Sequence, residues 1–135
     1  MYREIAFKSI KLSLMGRGSI YTMFFSIASL MYLFVYRAPE IFTSMVVLSI
    51  IMILASYLAD KKIVKQFVIT LILSGAKRIA VIFCLFVYLL VRIIIISVSY
   101  SLFITSFTLT YIVMVLVHLV NTILVAEVIY KVIRR

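Results

Sequence analysis

The sequence predicts an all-α fold: a polytopic membrane protein with four transmembrane helices and an N-terminal amphipathic helix at the membrane interface. Three observations carry this expectation. Of 135 residues, 67% are hydrophobic and the mean hydropathy is +1.31, more apolar surface than one soluble globule of this size can keep from water. Only four side chains are acidic against fourteen Lys and Arg. Charge-free windows close to the roughly 20 residues that cross a hydrocarbon core of about 30 Å recur along the chain.

Residues 1–18 read as a cytoplasmic-face amphipathic helix and a hinge, and residues 19–135 as the transmembrane domain. In "MYREIAFKSIKLSLM", at about 100° per residue, Glu4, Lys8 and Lys11 share one face, while Ile5, Ala6, Phe7, Ile10, Leu12 and Leu14 fill the opposite arc. Gly16-Arg17-Gly18-Ser19 then permits a bend, with Gly16 ending one helix and Ser19 capping the next. The first span occupies about 20–36, between Arg17 and Arg37, and the second about 41–59, between Glu40 and Asp60. Pro39 and Glu40 suit a helix start, because Pro is tolerated in the first turn and Glu favours the positive end of the helix dipole. The connection around Arg37 leaves no room for an extracytoplasmic domain. Because Arg37-Ala38-Pro39-Glu40 is not a small-residue cleavage pattern, the first span is expected to stay in the mature protein.

The remaining apolar stretch, 79–133, is too long to cross once and must fold back. Hydroxyl side chains bond backbone groups freed at a turn, so the reversal is expected at Ser97-Val98-Ser99-Tyr100-Ser101, extending to Thr105-Ser106. This gives a third span over about 79–97 and a fourth over about 105–128. Arg3, Lys8, Lys11 and Arg17 precede the first span. Lys61, Lys62, Lys65, Lys77 and Arg78 lie between the second and third, and Lys131, Arg134 and Arg135 follow the fourth. Positive charge collects on the cytoplasmic side, so both termini are expected there, in an integral multi-pass cell-membrane protein. Tyr21, Tyr57 and Tyr130 then fall at inner ends, and Tyr36, Tyr100 and Tyr111 at outer ones, as interfacial rings should.

The basic balance, +10 at neutral pH, is accounted for by this bias and by attraction to anionic lipid headgroups, so membrane lipid and not nucleic acid is the expected polyanion. Cys84 is alone, cannot form an internal disulfide, and reads as a small buried apolar residue.

The segment 60–78 asks for another explanation. Between Lys65 and Lys77 the apolar residues are too few to span, and a crossing there would set the cations of the segment on opposite sides. It reads as a cytoplasmic connection whose Phe67, Val68, Ile69, Leu71, Ile72 and Leu73 are too apolar for water. They require a surface: the inner membrane boundary, the N-terminal helix, or a groove in another protein.

"DKKIVKQFVITLILSGAKRIAVIF" resembles the segment between the second and third spans of FtsX/MacB-type permeases of ABC transporters. Asp60, Lys61 and Lys62 stand for its charged start, Leu71 and Leu73 for an apolar pair, Gly75-Ala76 for a Gly-Ala step and Arg78 for an arginine. Ala6-Phe7-Lys8 leading through Arg17 into the first span is also similar. An arginine usual in the apolar segment is missing near Ile72, Tyr88 stands where glutamate is common, and the large external domain is absent. The resemblance implies a minimal four-span permease subunit that pairs with itself or another membrane subunit. It further implies that a separate cytoplasmic ATPase meets the chain at Lys61, Lys62, Lys65, Phe67, Leu71, Gly75, Lys77 and Arg78, with Gly75 allowing a backbone bend. The alternative is a structural or pore-forming subunit, holin-like or an assembly scaffold, without an ATPase.

Four polar groups within or bordering the spans are candidates for function. Arg92, about 20 Å beyond Arg78 along the third helix, is expected in the outer leaflet, paired with Glu40 or touching substrate. His118 and Asn121 share a face with Thr122 on the fourth helix and suit either a relay or interhelical hydrogen bonds. Glu127 and Lys131 form an i, i+4 pair. The sequence contains no phosphate-binding Gly-rich loop, no metal-ligand spacing, no nucleophile-base set and no mid-span carboxylate, so neither enzyme activity nor a cofactor is expected.

Overall fold

In a computed structural model, described over residues 2–36, 39–101 and 104–134, the chain forms five helices. They are α1 (Tyr2–Met15), α2 (Arg17–Val35), α3 (Pro39–Leu73), α4 (Arg78–Tyr100) and α5 (Ile104–Arg134), and there is no strand among the described residues. Four of them, α2 to α5, are long and apolar enough to cross a membrane. The sequence readings placed on Arg37, Ala38 and Arg135 lie outside the described residues.

The helix that the composition makes most apolar, α4, is the centre of the bundle: over half of its span is buried, against a third or less for the other three. Cys84, Leu85, Tyr88, Leu89, Arg92 and Ile96 are all within 1% of full burial. The other helices pack around it in a fixed register. Ile5 clusters with Ala80 and Cys84, Ser9 bonds Cys84, and Ser13 bonds the Tyr88 carbonyl, so α1 runs parallel to α4 along its first half. Beyond Gly16, α2 takes over the same surface, where Thr22 reaches Arg92. Asp60 meets Arg92 and the Met45 carbonyl meets the Tyr100 hydroxyl, which sets α3 antiparallel to α4. Glu127 meets Arg78 and Tyr111 meets the Ser97 carbonyl, which sets α5 antiparallel too.

Three sequence expectations change. First, most of the 60–78 connection is not separate from the second span: α3 runs unbroken through Asp60 to Leu73, 35 residues in all, about 52 Å at 1.5 Å per residue. Nothing in Asp60-Lys61-Lys62 opposes helix, and Val64 and Val68, one turn apart, are buried against the core. The helix stops at a glycine-dependent turn, where the Gly75 and Ala76 N–H groups donate to the Ile72 and Leu71 carbonyls and Gly75 takes φ +81°. This Schellman pattern requires a left-handed residue at Gly75, and Ala76 packs in one cluster with Leu71.

Second, α4 does not end at Ser97 but stays helical to Tyr100, and α5 begins at Ile104, within the stretch expected to turn, because Ser97 and Ser99 do not break a helix whose other residues favour it. The Ser99 hydroxyl satisfies itself on the Ile95 carbonyl one turn back. Third, Ser19 is not the N-cap of α2. That position is Gly16, in extended conformation and without a side-chain acceptor, and the Ser19 hydroxyl donates back to the Gly16 carbonyl at 2.8 Å. The acceptor for the start of α2 comes from another helix.

Candidate functional site

That acceptor is Asp60. Its Oδ1 accepts the Gly18 N–H at 3.1 Å, and its Oδ2 accepts from Arg92 Nη2 at 2.7 Å and from the Tyr88 hydroxyl at 2.8 Å. Capping of one helix by a carboxylate on another satisfies an orphan donor and places negative charge at the positive end of the α2 dipole.

Arg92 is 0% exposed and its donors are committed on several sides. Nε donates to Ser13 Oγ at 3.0 Å; Nη2 donates to the Ser13 carbonyl at 3.0 Å and to the Tyr88 hydroxyl at 3.2 Å; Nη1 reaches Thr22 Oγ1 at 3.4 Å. Its guanidinium also lies 5.1 Å from the Tyr88 ring centre, a cation–π contact that favours Arg over Lys. Ser13 accepts from Arg92 and passes its own hydrogen to the Tyr88 carbonyl. The result is a closed polar knot tying α1, α2, α3 and α4 together, and among the described residues no buried side-chain N or O lacks a partner.

The small residues around the knot are there for space. A Cβ at Gly16 would overlap the Asp60 carboxylate, and one at Gly18 would overlap the Ser56 carbonyl oxygen and crowd Arg92. Ser9, Ser13, Thr22, Ser26 and Ser29 continue the same buried edge of α1 and α2. The last three donate to carbonyls four residues back, so they narrow the helix face without leaving a polar group unmet.

The expected pairing of Arg92 with Glu40 is therefore corrected. Glu40 lies exposed in the first turn of α3. Arg92 sits at the junction of α1 and α2, because the first half of α4 is already flanked by α1 and by the second half of α3.

His118, 1% exposed, bonds Ser49 at 2.7 Å through Nε2 and the Met114 carbonyl at 2.8 Å through Nδ1. A carbonyl only accepts, so Nδ1 carries a hydrogen, and the Ser49 hydroxyl that meets Nε2 also reaches the Val46 carbonyl at 2.6 Å. This links α3 to α5 by an interhelical bond, while Thr122 donates back to the His118 carbonyl and Asn121 is half-buried. Glu127 holds Arg78 at 3.0 Å and Lys131 at 3.3 Å.

The residues proposed for partner contact divide. Phe67 and Leu71 turn inward and pack with Ile5, Ala80 and Cys84, so the N-terminal helix and α4 supply much of the surface that the apolar segment needs. Lys61, Lys62, Lys65, Lys77, Arg78 and the Gly75 turn are exposed. So is Leu73, at 82%. Among the described residues, no three His, Cys, Asp or Glu side chains gather as a metal site would require. No family model matches the chain, and no curated protein or solved structure is similar to it.

Proposed function

We propose that the chain is a membrane permease subunit of an ABC-type transporter, of the FtsX/MacB kind without an external domain, driven by an ATPase supplied in trans. Both termini and the α3–α4 turn lie on the cytoplasmic side in this reading, which places there the cations of 3–17, 61–78 and 131–135. The chain pairs with a second copy or another membrane subunit to enclose a path.

The observation that carries the reading is α3 itself. A helix of 35 residues exceeds the roughly 30 Å of a hydrocarbon core by about 20 Å. It runs without a break from the buried knot at Asp60 to exposed Leu73, where the tip formed by the turn to Arg78 begins. A push on the tip is then delivered as a rigid displacement to the place where four helices meet, which is what coupling to a nucleotide-driven partner requires. The tip pairs exposed Leu73 and Ile79, 82% and 72% exposed, with Lys77 and Arg78, a mix suited to an apolar groove with an acidic rim.

The test is purification of the intact protein in mild detergent from its own cells. A nucleotide-binding subunit with a phosphate-loop motif is expected to stay with it, and its consistent absence counts for the pore-forming or structural alternative. Gly75→Val should then separate ATP turnover from transport, because Val resists the left-handed turn; unchanged coupling removes Gly75 from the mechanism.

A further inference from the structure

Between the first half of α4 and the last turns of α5 runs a groove of two characters. Its apolar length is walled by Ile79, Ile82, Phe83, Phe86 and Ile123. Its end is walled by Lys77, Arg78, Tyr130, Lys131 and Arg134. The parts are continuous: Arg78 lines both clefts at the basic end, and Ile79, Ile82 and Ile123 line both clefts further along.

Both walls belong to helices apolar enough to cross a membrane, and Ile123 and Ile79 are exposed, so acyl chains are what meets them. At the basic end four cations face one carboxylate. Glu127 holds Arg78 and Lys131 in place without neutralising the cluster, and the Tyr130 ring lies 5.7 Å from the Arg78 guanidinium. Lys77, at the N-cap of α4, offers no side-chain acceptor, so the first-turn N–H groups add positive potential at the same end. A choline or ethanolamine headgroup would bring a fifth cation to this cluster, whereas an anionic headgroup complements it.

We propose that this groove binds one anionic phospholipid, its phosphate among Lys77, Arg78, Lys131 and Arg134 and an acyl chain along Ile79, Ile82 and Ile123. The site rests on the reading that the chain spans a membrane; it shares Lys77, Arg78 and Ile79 with the tip assigned to the ATPase, and because its test uses this chain alone, its failure leaves the coupling standing.

The test uses the full chain, delipidated in mild detergent, with binding read by native mass spectrometry and by thermal unfolding. Phosphatidylglycerol, phosphatidylcholine and glycerol 1-phosphate are compared. Phosphatidylglycerol is expected to be retained and to raise the unfolding midpoint, with the other two much weaker. Lys131→Gln/Arg134→Gln removes two exposed cations and should weaken phosphatidylglycerol by roughly thirtyfold, at about a fivefold loss per cation near a lipid surface. Lys61→Gln/Lys65→Gln, an equal charge change on α3, should change it by less than about twofold on the same scale. Equal loss in both double variants, equal retention of phosphatidylcholine, or equal protection by glycerol 1-phosphate would each overturn the site.

Discussion

Asp60 and Arg92 each satisfy several helices at once, and their substitutions should separate sharply from those of neighbouring polar residues. Removing one partner of a buried ion pair leaves an uncompensated charge, so Asp60→Ala should cost about 3–5 kcal/mol, whereas Asp60→Leu/Arg92→Met together should recover much of it. Thermal unfolding in detergent decides this; additive losses would show that the pair does not act as one unit. Gly18→Ala should cost about 1–3 kcal/mol, because the overlapping atom is a backbone oxygen that cannot swing away. His118→Leu should cost less than Asp60→Ala, since interhelical hydrogen bonds in membranes average about 0.6 kcal/mol and rarely exceed about 1.7. A larger loss at His118 would move the mechanical centre to the α3–α5 contact. Arg92 was legible in the sequence as a charge inside an apolar run, and His118 as a lone polar group on its face. The partner of Arg92 was missed, although the chain held the signal: Asp60 and Arg92 lie at nearly equal distances along the chain from the Gly75-Ala76 turn, so an unbroken antiparallel hairpin sets them side by side. Treating 60–78 as a separate connection hid that symmetry.

At the scale of elements, the length of α3 is what distinguishes this bundle from four independent spans. Spin labels at Leu48 and Leu73, in a Cys84→Ser background, should lie about 37 Å apart along a straight helix. A distance near 20 Å would mean that 60–73 folds back along the membrane. The turn that ends α3 should be sensitive to backbone and not to volume, because space around Gly75 is open while its φ is left-handed. Gly75→Ala is thus expected to cost about 1 kcal/mol, and Gly75→Asn less. The starts of α3 and α4, the break at Gly16 and the four apolar stretches follow from Pro, Gly and charge placement alone. The role of the small-residue edge running from Ser9 to Ser29 did not, because serine and glycine in a helix reveal close packing only when the partner helix is known.

For the whole molecule, α4 is surrounded, and the apolar side chains that remain outward belong mainly to α2, α3 and α5. In the proposed reading, these faces meet lipid or a second membrane subunit. The α1 surface differs: Ile5, Ser9 and Ser13 face α4, while Phe7, Ile10 and Leu14 face outward beside Lys8 and Lys11. The apolar arc expected from the sequence is therefore divided: Ile5 and Leu12 pack on the protein, while Phe7, Ile10 and Leu14 stay outward. The central claim, that the α3 tip receives work from an ATPase, is tested most directly by a photocrosslinking amino acid at Leu73 in intact cells, with adducts identified by mass spectrometry. The account predicts a covalent adduct to a protein carrying a nucleotide-binding phosphate loop, lost when the label is moved to Leu48. Adducts only to lipid, or only to a second copy of this chain, would contradict it.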